Sequence, residues 1–76
     1  MKNIVSDVIV GKIYDVVSSR KGNFRIMVTE HSEEWVTGTI IKGKAKAILA
    51  YNEAYKGEEI TLRRSLTAFY EKTLAN

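Results

Sequence analysis

Residues 24–42 read FRIMVTEHSEEWVTGTIIK, and the alternation within them decides the fold. From Phe24 to Glu30, Phe24, Ile26 and Val28 alternate with Arg25, Met27 and Thr29. Successive side chains of a strand point to opposite faces, so the first set is predicted to face a core and the second to face outward. His31-Ser32-Glu33-Glu34 then reads as a polar turn. The run Trp35 to Lys42 is rich in the β-branched and aromatic residues that strands favour. Its register has two solutions. Either Val36, Gly38 and Ile40 point inward and Trp35 is displayed, or Trp35, Thr37, Thr39 and Ile41 point inward. The lone Gly38 marks a close backbone approach on its face.

Upstream, Val8 to Val17 reads as a strand that bends at Gly11, with Val8, Val10, Tyr14 and Val16 on one face and Ile9, Ile13 and Val17 on the other. Ser18 to Asn23 is the hairpin loop that joins it to the Phe24 strand. Downstream, Lys44 to Lys56 has two readings, a helix stopped by Gly57 or a strand from Lys44 to Tyr51 followed by a turn; the strand is preferred because it supplies a partner for a sheet edge. Glu59 to Arg64 alternates again, with Ile60 and Leu62 inward. Ser65 then serves as an N-cap for a closing helix over Leu66 to Leu74, where Leu66, Phe69, Tyr70 and Thr73 recur at helical spacing. Gly22 and Gly57, each ending a polar turn, are expected at positive φ. The expected architecture is mainly β: a small SH3-like barrel or strongly bent antiparallel sheet of four to five strands with a short C-terminal helix.

At 76 residues the chain forms a single domain, since so short a chain buries only ~60% of its unfolded surface and cannot supply two cores. With no cysteine, disulfides, thiol chemistry and thiolate zinc sites are excluded. Asp7, Lys12 and Asp15 interrupt the apolar N-terminal stretch before it reaches the length of a leader or membrane span, so the reading is a cytoplasmic protein without membrane attachment.

Chemistry for catalysis is sparse. His31 is the single histidine, and it lies in a polar turn with no orienting partner in view. The acidic pairs Glu33-Glu34 and Glu58-Glu59 are adjacent in sequence, so on strands they point apart. No phosphate-cradling glycine motif is present, and no cofactor is expected. The chain therefore reads as a non-enzymatic binding module.

The net charge of +3 arises entirely in the second half, where residues 39–76 carry seven basic and four acidic side chains against five and five in residues 1–38. Lys42, Lys44 and Lys46 would line one strand face as a basic stripe; the competing reading is a lysine-protected sheet edge. Arg20 and Lys21 in the first hairpin loop, and Arg63 and Arg64 at the end of the last strand, add candidates for phosphate contact. Trp35 would stack on a base if displayed. Together these residues make nucleic acid, DNA or RNA, the first expected partner. The alternative partner is a protein, met by Trp35, Met27, Ile41, Tyr51 and Tyr55, with the chain acting as a small regulator or inhibitor of the kind a phage or mobile element encodes, or as a homo-oligomer.

Overall fold

The computed structural model describes residues 4–5, 7–45 and 54–71. They form five strands: β1 (Ile13–Ser18), β2 (Gly22–His31), β3 (Trp35–Gly43), β4 (Glu59–Arg63) and β5 (Thr67–Glu71), with a 3-10 turn over Arg64–Leu66 between the last two. All pairings are antiparallel and all belong to one sheet in the order β4-β3-β2-β1-β5. Among the described residues no β4-β5 pairing closes the sheet, so they form an open five-stranded antiparallel sheet.

The alternation of β2 is realised as read: Phe24, Ile26 and Val28 are buried, while Met27 is exposed and Arg25 is half-buried. They join Tyr14 and Val16 of β1, Val36 and Ile40 of β3, Ile60 and Leu62 of β4, and Phe69 of β5 in one cluster. Every strand thus contributes to the same core, and the contiguous apolar face fixes the register of each. The β2-β3 pairing slips twice, between Arg25 and Ile26 and between Val28 and Glu30. These irregularities leave Ile41 and Thr29 without an opposite residue, the arrangement by which antiparallel strands coil more tightly.

Gly38 settles the two registers open to β3. A Cβ at this position would lie 2.7 Å from the Met27 carbonyl oxygen and 2.9 Å from Ile26 Cδ1, so the β2-β3 approach excludes a side chain there. Val36, Gly38 and Ile40 consequently face inward, and Trp35 is displayed with 41% of its surface exposed.

Three expectations are corrected. The first concerns the Val8 to Val17 strand, which is shorter than read: β1 begins at Ile13, and Val10-Gly11 forms a turn in which the Lys12 N–H donates to the Ile9 carbonyl at 3.1 Å. Gly11 takes φ +92°, far from the extended backbone of a strand interior, and glycine adopts it without the steric cost of a Cβ. Val8 is buried but Val10 is exposed, so period two does not run through the turn. The long strand is β2, with ten residues.

The second is the closing helix. Residues 67–71 form β5, which pairs with β1 from Ser18↔Thr67 to Tyr14↔Glu71. Leu66, Phe69 and Tyr70 satisfy helical spacing, but Phe69 is buried equally well from a strand, and only the strand supplies backbone partners along the open edge of β1. Ser65 does not cap a helix; it lies within the 3-10 turn, whose N-cap position is Arg63 and which has no side-chain cap. The Thr67 hydroxyl donates to the Arg63 carbonyl at 2.8 Å and ties the turn shut. Positions 72–74 of the expected helix lie outside the described residues.

The third is the step of the lysine stripe from Lys42 to Lys44 along one strand. Gly43 at φ +83° ends β3, so the alternation that would carry Lys42 on to Lys44 is broken. Ala45 and Ala54 exchange backbone hydrogen bonds at 2.8 and 3.1 Å as an isolated antiparallel bridge. The helix-or-strand question between them, with Lys46 and Tyr51, lies outside the described residues. Gly22 and Gly57 have positive φ as expected, at +90° and +93°.

Buried polarity is confined and matched. The Tyr14 side chain, 1% exposed, accepts a hydrogen bond at its hydroxyl from the Ile9 N–H at 2.9 Å and meets Phe69 edge-on with ring centroids 6.3 Å apart. Among the described residues, no buried side-chain nitrogen or oxygen lacks a partner, and no helix is long and apolar enough to cross a membrane.

Candidate functional site

Four of the candidate residues meet at one end of the sheet. The pairing of β3 with β4 puts Trp35 directly opposite Arg63. Both point away from the core, and the Arg63 guanidinium lies over the indole with its central carbon 4.9 Å from the ring centroid. An arginine stacked on tryptophan in this way is held by the ring quadrupole and by the weak hydration of the guanidinium.

The β1-β2 turn brings Arg20 and Lys21 to the same place. Their backbone N–H groups donate to the Ser18 hydroxyl at 3.3 and 3.1 Å, a serine-closed turn that fixes the backbone beneath both cations. The turn is in turn fastened to the 3-10 segment, because the Leu66 carbonyl accepts from the Ser19 N–H at 3.1 Å and from its hydroxyl at 3.3 Å. Between these parts lies a groove of about 260 Å³ with Arg20, Lys21, Trp35 and Arg63 on its walls. Ser18, Thr61, Leu62, Leu66 and Thr67 also line it, and no carboxylate is among the described residues that do.

Arg64 does not join its neighbour. Its Nε donates to the Ser32 carbonyl at 2.8 Å and its Nη2 lies 3.3 Å from His31 Nδ1, while its backbone N–H donates to the Glu34 carbonyl at 2.9 Å. The side chain thus clamps the β2-β3 turn and borders a separate depression with Asp7, His31 and Glu33. Consecutive residues leaving a strand diverge, and here one arginine serves the groove while the other serves the fold.

Lys42 also lies elsewhere. It stands opposite Arg25 on β2 and borders a larger groove of about 460 Å³ that also contains Asp15, Val17, Phe24 and Tyr70. In that groove the Arg25 Nε donates to Asp15 Oδ1 at 2.7 Å, and the two side chains are only 23% and 14% exposed. Lys44 is placed over Tyr55, its Nζ 5.7 Å from the ring centroid.

The residues expected for protein contact are not gathered either. Met27 sits opposite Ile13 on the outer face, both 38% exposed, whereas Tyr55 lies in the turn before β4 and Trp35 at the far end of β3. Ile41 is half-buried at the first β2-β3 irregularity. Ile9 and Val10, expected on opposite faces of one strand, are also exposed, in the turn before β1.

Sequence reasoning omitted Ser18, Thr61, Leu66 and Thr67 from the site. Ser18 could have been found, since serine two and three residues before a basic pair is the pattern of a hydroxyl-closed turn. Nothing local marks the others; they arrive through strand pairing and the 3-10 turn. Among the described residues, no group of three or more histidine or acidic side chains is assembled that could hold a metal ion. Comparison with protein-family models, with curated proteins and with solved structures finds no match for this chain.

Proposed function

We propose that this chain is a non-enzymatic nucleic-acid-binding module that contacts the phosphate backbone through Arg20, Lys21 and Arg63, with Trp35 as its aromatic contact. The observation that carries this reading is the convergence of those four residues, from three separate elements, on one groove with no carboxylate among the described residues that line it. Cations brought together by structure rather than by sequence proximity raise the local potential for an anion. Guanidinium groups match phosphate oxygens in geometry as well as charge. The connectivity also supports a finer fold assignment: β5 returning to the edge of β1 after a 3-10 turn, in a five-stranded meander, follows the plan of a small SH3-like barrel. Such folds host many functions, so the reading rests on the groove and not on the plan.

The test is binding of labelled DNA and RNA across a salt series. Three phosphate contacts imply that log affinity falls with log salt at a slope of about −2.7 for duplex and about −2.1 for single strands. The triple variant Arg20→Gln, Lys21→Gln, Arg63→Gln should remove most of that slope and weaken binding at every salt concentration. A flat salt dependence, or no binding at low salt, overturns the proposal.

A protein-docking role is the second reading. The exposed outer-face pair Ile13 and Met27, with Ile9 and Val10 in the adjoining turn, supports it by offering a protein partner or a second copy an apolar contact. Absence of nucleic-acid binding would leave that surface as the functional one.

A further inference from the structure

We infer that the groove accepts an unstacked base of a single-stranded nucleic acid, the indole and guanidinium of Trp35 and Arg63 forming the stacking platform and Arg20 and Lys21 holding the flanking phosphates. This deepens the proposed function and rests on it.

The inference comes from the shape of the site and the kind of surface it displays. Trp35 retains 41% exposure although Arg63 lies against its ring, so the stacked pair presents a flat, delocalised, partly uncovered surface. Bases stack on either kind of plane, indole or guanidinium, and do so with little regard to sequence because every base has a π face. In a duplex those faces are occupied by neighbouring base pairs. A platform of this kind therefore gains nothing from double-stranded DNA unless a base is extruded, which costs several stacking and pairing contacts.

Two further cations line the same groove. Arg20 and Lys21 ride on a turn anchored by the Ser18 hydroxyl and the Leu66 carbonyl, so their backbone does not have to be ordered when a ligand arrives. The groove between the walls, about 260 Å³, suits one nucleotide; a duplex would bridge its rims without entering. Thr61 and Thr67 line the same groove with hydroxyl oxygens able to accept from a base edge, one within hydrogen-bonding distance of Thr37 Oγ1 at 2.9 Å and the other donating to the Arg63 carbonyl.

The chain supplies its own reporter, because Trp35 is its single tryptophan. Intrinsic fluorescence is followed while the intact protein is titrated with a short oligo-dT, a duplex of equal length, heparin and poly-glutamate. The expected result is quenching and tighter binding with oligo-dT, weak binding without quenching with duplex, and little response to heparin or poly-glutamate. Trp35→Ala should lose roughly 5- to 150-fold in affinity for oligo-dT, the range one base–aromatic stack supplies, with less than about a twofold change for duplex. Trp35→Phe should keep most of the affinity, and circular dichroism verifies that each variant is folded. Equal binding of duplex and oligo-dT with unchanged fluorescence overturns the single-strand inference and leaves backbone binding intact. Heparin or poly-glutamate binding as tightly as oligo-dT without quenching, or no polyanion binding at all, overturns both.

Discussion

Two grooves flank the β1-β2 hairpin, and they differ in a way that size does not predict. The larger, about 460 Å³, contains Arg25 and Lys42. There Asp15 holds Arg25 in a short, largely buried ion pair that engages the guanidinium at Nε. The smaller, about 260 Å³, has no carboxylate on its described walls, and of its two arginines Arg63 is stacked on tryptophan. A cation serving the fold and a cation displayed to a partner are distinguished by what the guanidinium touches. The same contrast separates Arg64, clamped to the Ser32 carbonyl, from Arg63 one residue before it.

The comparison can be broken at its common support first. Tyr70 of β5 borders the larger groove and Thr67 the smaller, and Phe69 between them is 4% exposed against Tyr14. Phe69→Ala should cost about 3–5 kcal/mol in chemical denaturation, enough to threaten a domain this small. A loss under about 1 kcal/mol would mean that β5 does not close the core.

Asp15→Asn addresses the difference between the grooves directly. It should destabilise the fold by about 1–3 kcal/mol, since Arg25 would lose a charge-assisted partner in a half-buried position. Stability falling while oligonucleotide affinity rises is the expected outcome, because the freed guanidinium would make the larger groove a second anion site. Unchanged affinity would show that Asp15 is not what separates them. The smallest effect belongs to Lys42→Gln. Exposed on β3 and away from the smaller groove, Lys42 should shift stability by no more than ~0.5 kcal/mol and affinity less than about twofold. A loss as large as that of Lys21→Gln would relocate the binding face.

How much of this was legible in the sequence follows from which interactions are local. Phe24, Ile26 and Val28 reveal β2 because one buried face imposes period two on the chain itself. The 66–74 segment misleads because Leu66, Phe69 and Tyr70 satisfy helical spacing, while the feature that makes residues 67–71 a strand is the open edge of β1, some fifty residues away in sequence. Gly11 and Gly43 were visible as glycines, but whether a glycine bends a strand or ends it depends on its φ. The site shows the same division. Arg20-Lys21 and Arg63-Arg64 stand out as basic pairs, yet only the Trp35↔Arg63 register and the Ser19 bonds to Leu66 determine which members meet.

The hydrogen bond from the Ile9 N–H to the buried Tyr14 hydroxyl has a consequence for how the molecule opens. The 9–12 turn is not a strand, but it is held at three points: by that phenol, by the Gly11 N–H on the Val28 carbonyl at 2.8 Å, and by the Val28 N–H on the Lys12 carbonyl at 3.0 Å. Were the turn to lift away alone, it would strip the partner from a hydroxyl in the middle of the core and two more from β2, each a desolvated group left unmatched. The turn and the apolar interior should therefore open as one cooperative unit, with the amides of Ile9 and Gly11 expected to exchange with solvent on the timescale of the core rather than that of a surface loop.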